Sequence, residues 1–272
     1  MSTRAAAEIV TGAKYVEQVT ALARDRRARS AFLSLVLRVA SPGATVFDFG
    51  AGPGLDARFY AEHGFRVAAY DVDPGMCEFF ADHCRDLIRA GRVTLSCSSY
   101  RDFLACDACR VEGNVELVTA NFAPLNLIDD LRPLFAKFHA LTSPDGKVLA
   151  SVLSPYFLGD LKYGWWWRNL PRLWRAGHYS VQGAQAPIVR RRLTDYAAQS
   201  APYFTLQRVF RGLPPSKMQR DVTGIDVTEG AQPLAALRLS TCQFMFLLFE
   251  RRTPGAVVGR HSGVDPSLAD PH

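Results

Sequence analysis

The sequence predicts an α/β fold in which a seven-stranded, mainly parallel sheet carries helices on both faces. Up to residue 153, short apolar segments alternate with helical segments and are joined by short turns, an order typical of parallel sheets. The composition agrees, because 48% of the 272 residues are hydrophobic and 21% are charged, as in globular domains. A chain of this length buries a core without disulfides or metals, so we expect one main domain.

The predicted elements begin with a helical cap over residues 1–43, whose helical pattern is broken near its middle. The main domain follows over residues 44–252. Its first five strands are predicted at residues 45–49, 66–71, 92–97, 115–119 and 147–153. Helices are predicted between successive strands at residues 55–63, 74–89 and 129–141.

The regular alternation ends after the fifth strand. Residues 155–183 are irregular and rich in aromatic side chains, which predicts an insertion at this point. Further strands are predicted at residues 188–193, 205–211 and 241–250. Residues 253–272 lack periodicity and are rich in Gly, Pro, Ser and Asp, which predicts a disordered tail.

Charge and hydropathy argue against several classes of partner. The formal net charge of +6 is spread over short clusters and forms no basic tail, so we expect no nucleic-acid partner. We recognise neither a secretion signal nor an apolar stretch long enough to span a membrane. We therefore expect a cytoplasmic protein without a membrane partner, acting as a monomer or homodimer.

The six cysteines are expected to be reduced thiols in that compartment. Cys106 and Cys109 have the spacing of a zinc-ligand pair. A structural zinc site needs a second pair of ligands, and the sequence offers none at a suitable spacing. We therefore expect no metal site.

The strongest local signal is a glycine loop between the first predicted strand and the helix after it. Asp48 stands at the strand end, and Gly50, Gly52 and Gly54 follow at alternating positions. Glycines let a ligand approach the backbone closely, and the following helix directs its amide groups at the loop. Asp71 ends the next strand, where a carboxylate accepts hydrogen bonds from ribose hydroxyls. The pattern predicts a nucleotide-type cofactor, either a nicotinamide dinucleotide or S-adenosylmethionine.

Three features favour S-adenosylmethionine. The loop reads GxGxG, whereas the dinucleotide fingerprint reads GxGxxG. A negative charge on Asp48 suits a cationic ligand and is unfavourable beside a pyrophosphate. In addition, a long helical segment precedes the first strand, whereas dinucleotide domains usually begin near it.

At these residues the chain resembles the class I S-adenosylmethionine-dependent methyltransferases, which have a Rossmann-like fold. The resemblance extends over about residues 13–252 and is most specific at residues 46–76. It implies that Gly50, Gly52 and Gly54 pack against the methionine part of the cofactor, that Asp71 holds the ribose, and that Val72 lies against adenine. Further cofactor positions are expected at Tyr15, Arg29, Asp48, Ala51, Met76, Ser98, Ser99, Tyr100, Asn121 and Phe122.

The segment from Asn121 to Asn126 resembles an NFG-LN segment of a bacterial small-molecule subgroup, which borders the sulfonium, and Tyr15 and Arg29 match that subgroup by spacing. After the third strand the family usually has an Asp that meets the adenine amino group. This chain has Ser98, Ser99 and Tyr100 there, so Ser99 is the predicted acceptor.

The predicted reaction is methyl transfer to O, N or C of a small metabolite. The insertion over residues 155–183 begins at the carboxyl end of the fifth strand, where ligands bind in such sheets, and its aromatic side chains suit a planar or aromatic acceptor. His178 and Tyr179 are the candidate proton acceptors. We expect Arg190, Arg191 and Arg192 to form a solvated strand face, the alternative being contact with an anionic substrate. The alternatives are a nicotinamide-dependent oxidoreductase and a non-catalytic partner subunit with this fold.

Overall fold

A central sheet organises the protein, as seen in a computed structural model that describes residues 22–106, 115–183, 187–211, 228–229 and 242–252. The strands of this sheet are β1 (Thr45–Phe49), β2 (Arg66–Asp71), β3 (Val93–Cys97), β4 (Val115–Ala120), β5 (Thr142–Leu153), β8 (Phe204–Arg211), β9 (Thr228–Glu229) and β10 (Phe244–Arg251). Their order across the sheet is β3-β2-β1-β4-β5-β10-β8-β9. Strands β1 to β5 are parallel, and β10 pairs antiparallel with β5 on one side and β8 on the other. The predicted sheet is confirmed, with the two-residue β9 as an additional strand at the edge beside β8.

Helices cover both faces of the sheet. They are α1 (Ala23–Val39), α2 (Leu55–Glu62), α3 (Pro74–His83), α4 (Arg85–Arg89), α5 (Tyr100–Ala105), α6 (Arg132–Leu141), α7 (Gly164–Ala176) and α8 (Leu193–Ser200). Alternation along β1 shows why two layers form: Val46 packs into the core under α1, α2 and α3, while Phe47 and Phe49 pack into the core under α5, α6 and α8. Because both faces are buried, these strands are apolar almost throughout, as parallel strands usually are.

The segment after β5 is more regular than its sequence suggested. Residues 155–183 contain a short 3₁₀ helix (Leu158–Asp160), helix α7 and strand β6 (His178–Gln182). Trp166 and Leu173 are buried on α7 two turns apart, and Gly177 ends the helix in the left-handed conformation. The aromatic residues on the other faces of α7 concealed this helical pattern.

Strand β7 (Pro187–Arg191) pairs with β6 in a separate two-stranded hairpin. The strand predicted at residues 188–193 is therefore present in shortened form but lies outside the main sheet. Asn126, in a 3₁₀ helix (Pro124–Leu127) after β4, fastens the hairpin to the domain. Its side-chain amide donates to the Val189 carbonyl, and its carbonyl oxygen accepts from the Leu153 amide at 3.0 Å.

Most of the predicted cap, residues 1–21, and the predicted tail, residues 253–272, lie outside the described residues. Within the part of the chain that the structure describes, no helix is both long enough and apolar enough to cross a membrane.

Candidate functional site

The glycine loop lies at the carboxyl end of β1, between the ends of β2 and β4. Gly50 and Gly52 have φ values of 71° and 54°, a conformation that side-chain-bearing residues rarely adopt. A Cβ on Gly50 would lie 2.8 Å from the Pro124 Cβ, so this position is packed against the loop after β4. A Cβ on Gly52 would meet no atom within 4 Å among the described residues. Gly52 therefore borders open space at the site, as a backbone approached by a ligand must.

Asp71 joins this loop to the end of β2. Its Oδ2 accepts from the Gly52 amide at 2.7 Å, and its Oδ1 accepts from the Asp73 amide at 2.9 Å. A carboxylate has about four acceptor positions, so both oxygens retain capacity for ligand hydroxyls. Burial raises the pKa of Asp71, although the backbone donors act in the opposite direction. Beside it, Val72 is exposed and Met76 is buried.

Asp48 is buried beneath the loop. Its Oδ1 accepts from the Thr119 hydroxyl at 2.8 Å, and its Oδ2 has no hydrogen-bond partner among the described residues. Burial, followed by the nearby carboxylate of Asp56, raises the pKa of Asp48 to about 8. The side chain is therefore mostly neutral near pH 7, which corrects the expectation that it carries a standing negative charge. A cation nearby would favour its ionised form.

Asp56, which the sequence reasoning missed, brings three predicted site residues together. It lies in the first turn of α2 and is buried. Arg29 Nη1 contacts its Oδ1 at 2.5 Å, and Asn121 Nδ2 donates to its Oδ2 at 2.8 Å. The Arg29 guanidinium also lies over the Phe122 ring, 4.7 Å from the ring centroid. An acidic residue in the first turn of a helix interacts favourably with the helix dipole. The position of Asp56 directly after the glycine loop is the sequence feature that could have identified it.

Phe122 and Ala123 follow in left-handed conformations, with φ values of 59° and 66°. Such values are uncommon for residues with side chains, so neighbouring contacts must hold the turn. The Phe122 amide donates to the Asn121 side-chain oxygen at 2.9 Å and to the Ser151 hydroxyl at 2.7 Å. The turn thereby fixes Asn121 and Phe122 between β4 and β5, next to the glycine loop.

The residues after β3 have structural contacts of their own. Ser99 caps helix α5: its hydroxyl accepts from the Asp102 amide at 3.1 Å and donates to the Asp102 carboxylate at 2.7 Å. The Ser98 carbonyl accepts from the Tyr70 hydroxyl at 3.0 Å. Burial raises the pKa of Tyr100 to about 12, so its hydroxyl is protonated. These contacts use the Ser99 proton and one of its two acceptor positions, so one acceptor position remains for the adenine amino group that Ser99 is predicted to meet.

The two predicted catalytic residues lie on opposite faces of the β6–β7 hairpin. His178 pairs across the hairpin with Arg191, and its Nδ1 lies 3.5 Å from the Asp195 carboxylate on α8. Tyr179 pairs with Arg190 on the other face, towards the start of the insertion. Burial raises the pKa of Tyr179 to about 12, so this side chain is a hydrogen-bond donor near neutral pH and not a proton acceptor.

The expectation that Arg190 and Arg191 form a solvated face is wrong, because both are buried. Arg190 donates to the Ser154 carbonyl at 2.6 Å. Arg191 donates to the carbonyl groups of Leu125, Ile128 and Asp129. These carbonyls belong to the loop after β4, so both arginines hold the hairpin over the end of the sheet.

Tyr15 and Cys109 lie outside the described residues, so their predicted positions stay predictions. Within the described ranges, no group of three or more His, Cys, Asp or Glu side chains is placed to hold a metal ion. The site therefore consists of the glycine loop, Asp48, Asp71, the Arg29–Asp56–Asn121 contacts and the hairpin beside them.

Comparisons with known proteins agree with this arrangement. Residues 16–186 match a family model described as a methyltransferase domain. A TehB-like SAM-dependent methyltransferase from Corynebacterium glutamicum has a similar fold, with a TM-score of 0.53 and 13% identity over 89% of this chain and 98% of that one. The 1,6-didemethyltoxoflavin-N1-methyltransferase of Burkholderia thailandensis, solved with bound 1,6-didemethyltoxoflavin and S-adenosylhomocysteine, gives a TM-score of 0.51 and 20% identity over 89% of this chain and 87% of that one.

A curated relative, the ribosomal protein L11 methyltransferase of Pelotomaculum thermopropionicum, is 33% identical over 121 residues. That match covers 44% of this chain and spans about a third of the relative's length, 35%. The chain belongs to the methyltransferase-domain family and has the Rossmann-like fold of the class I methyltransferases, whose cofactor is S-adenosylmethionine. The family match does not support the alternative of a nicotinamide-dependent oxidoreductase.

The described residues fit this cofactor. Gly52 borders open space, and Asp71 has acceptor capacity left for the ribose hydroxyls. The unpartnered Oδ2 of Asp48 is an acceptor that becomes negatively charged in the presence of a cation.

Proposed function

We propose that the protein transfers a methyl group from S-adenosylmethionine to O, N or C of a small planar or aromatic metabolite, and that residues 155–183 form a lid over this acceptor. The observation that carries the proposal is the position of the β6–β7 hairpin. It is attached at the carboxyl ends of the parallel strands, where the glycine loop also lies. Asn126, which lies in the loop after β4, and Arg190 both bind the hairpin to the end of β5. Asn121 and Phe122 begin the loop that contains Asn126. A cover at this place excludes water from the reacting groups.

The proposed roles follow from the contacts. The cofactor supplies a methyl group already activated by a positively charged sulfur, so the protein has to position the acceptor and exclude water. Asp71 accepts from the ribose hydroxyls, and the loop at Gly52 permits close approach of the ligand. Asp56 holds both Arg29 and Asn121. Arg29 is assigned to the amino-acid end of the cofactor, and Asn121 to the surroundings of the sulfonium. Tyr179 donates a hydrogen bond to the acceptor, and no general base is assigned.

Two relatives suggest different acceptors. The Burkholderia enzyme methylates a small heterocycle according to its name, and it matches nearly the whole of this chain. The L11 methyltransferase is named for a protein substrate, but the match covers less than half of this chain. We therefore favour the small molecule, and we expect the protein to act in the cytoplasm as a monomer or homodimer.

Two measurements test this function. Calorimetry should show S-adenosylhomocysteine binding with a micromolar dissociation constant, roughly −8 kcal/mol, and no binding of NAD. Methyl-deuterated S-adenosylmethionine is then incubated with a panel of planar heterocycles and, separately, with ribosomal protein L11, and labelled products are sought by mass spectrometry.

A labelled heterocycle supports the proposal. Label on L11 alone would instead assign a protein acceptor, and cofactor binding without any labelled product would favour the non-catalytic partner subunit. Asp71→Asn is the matched control, because its weakened cofactor binding should reduce any genuine labelling.

A further inference from the structure

Three charged or polar side chains are buried together under the hairpin. Asp160 from the 3₁₀ helix after β5, Tyr179 from β6 and Arg190 from β7 are only 7%, 3% and 6% exposed. We refer to these three residues as the lid cluster. Arg190 Nη2 lies 3.2 Å from Asp160 Oδ2, and Tyr179 and Arg190 are directly paired across the hairpin. The cluster adjoins the end of β5 through the bond from Arg190 to the Ser154 carbonyl.

The lid cluster presents buried polar atoms with bonding capacity left. The Tyr179 hydroxyl and Arg190 Nε have no hydrogen-bond partner among the described residues, although both are buried. Asp160 Oδ2 is also buried; it is ion-paired with Arg190 Nη2 and makes no hydrogen bond to the described residues. Buried polar atoms are almost always hydrogen-bonded in folded proteins, and leaving them unpaired is unfavourable. Two unpaired atoms and a carboxylate oxygen with a free acceptor position lie on neighbouring residues beside the proposed acceptor site. They indicate that a bound molecule completes these hydrogen bonds.

The donor and acceptor properties of these atoms define which group of a ligand they can bind. Arg190 Nε is a donor, Asp160 Oδ2 is an acceptor, and the Tyr179 hydroxyl both donates and accepts. Arg190 and Asp160 neutralise each other, so the cluster favours an uncharged group over an ion. An apolar wall is present as well, because the Trp165 ring lies 6.4 Å from the Tyr179 ring, centroid to centroid.

We propose that the lid cluster anchors an acceptor that carries an amide-like edge, a ring N–H beside a ring C=O, on a planar heterocycle. The carbonyl oxygen accepts from Arg190 Nε and the Tyr179 hydroxyl, and the ring N–H donates to Asp160 Oδ2. The three residues determine which acceptor binds, and they take no part in holding the cofactor. This inference rests on the proposed function, since it names the substrate class of the same site.

The test uses 2-quinolone, a planar lactam, and 1-methyl-2-quinolone, which lacks only the ring N–H. Calorimetry is performed on the full chain saturated with S-adenosylhomocysteine. We expect 2-quinolone to bind at least about tenfold more tightly than its methylated analogue, because the analogue cannot donate to a charged acceptor. Equal binding of the two probes, or binding of neither, would overturn the inference.

Variants then assign the effect to the cluster. Tyr179→Phe removes only the unpartnered hydroxyl, so it should fold with unreduced stability and weaken 2-quinolone binding by about tenfold. Tyr163→Phe is the matched control, because Tyr163 lies on the same segment but is exposed, and it should bind 2-quinolone like the wild type. Unchanged affinity in Tyr179→Phe contradicts the anchor.

The cofactor measurement separates this inference from the proposed function. S-adenosylhomocysteine should bind Tyr179→Phe and Asp160→Asn within about twofold of the wild type, because the cluster lies outside the cofactor contacts. If S-adenosylhomocysteine fails to bind the wild-type protein, the proposed function is wrong. If it binds normally but the two quinolones are not distinguished, only the lid anchor is wrong.

Discussion

Gly52→Ala tests whether the cofactor lies against the glycine loop. The backbone of Gly52 has a φ of 54°, and an added Cβ would meet nothing within 4 Å in the described part of the chain. Forcing alanine into this conformation costs about 1–2 kcal/mol, and the stiffer unfolded chain offsets about 0.4–1 kcal/mol of it. The net loss of about 1 kcal/mol should lower the melting temperature by about 2–4 °C. The affinity for S-adenosylhomocysteine should fall by at least about tenfold, because the methyl group occupies space that the ligand needs.

Gly43→Ala is the matched control for this change. Gly43 has a φ of 78°, and its added Cβ would likewise meet nothing within 4 Å of the described atoms. It precedes β1 and so lies at the opposite end of this strand from the glycine loop. Calorimetric melting should therefore give a similar loss of stability in both variants, while titration shows reduced affinity only in Gly52→Ala. Normal ligand binding by Gly52→Ala, or an equal loss in Gly43→Ala, would refute the placement of the cofactor.

Two carboxylates give further predictions. Asp71→Asn should lower the free energy of unfolding by about 1.5–3 kcal/mol, because an amide nitrogen must face one of the two backbone N–H groups that the carboxylate now accepts; an unchanged urea midpoint would contradict this. Asp48 has a pKa of about 8 in the folded protein, above its usual 3.8, so the folded state binds the extra proton. Its contribution to stability should therefore decline as the pH rises from about 4 to 8 and stay level above that. Urea unfolding across this range should give a shallower decline for Asp48→Asn than for the wild type, and parallel curves would count against a raised pKa.

The sequence predicted those parts of the site whose positions are determined by residues nearby in the chain. The glycine loop and Asp71 follow strands whose apolar runs are visible directly, and strand, loop and helix fix their positions locally. Asp56 was missed because its partners Arg29 and Asn121 are 27 and 65 positions away, and no local pattern reports such contacts.

In the β6–β7 hairpin, the sequence did not predict which side chains are buried or which face meets the ligand. Three consecutive arginines on a short strand usually indicate a solvated surface, but the carbonyl groups that bury Arg191 belong to a loop more than 60 positions away. Alternation correctly implies that neighbours on a strand face opposite ways, yet it does not say which face meets the ligand. His178 and Tyr179 were therefore grouped from their adjacency, although β6 directs them to different surroundings.

The position of β10 has a consequence for synthesis on the ribosome. β10 is inserted between β5 and β8, where Phe246 enters one hydrophobic cluster and Leu247 and Phe249 enter the other. During translation β1 to β5 emerge first, but the edge of β5 lacks its native neighbour until residue 251 has left the exit tunnel. Such a nascent chain displays an apolar strand edge that invites pairing with other chains. We therefore expect β5 and β8 to reach their native pairing only after β10 has left the exit tunnel, and growing chains to be prone to aggregation in the interval.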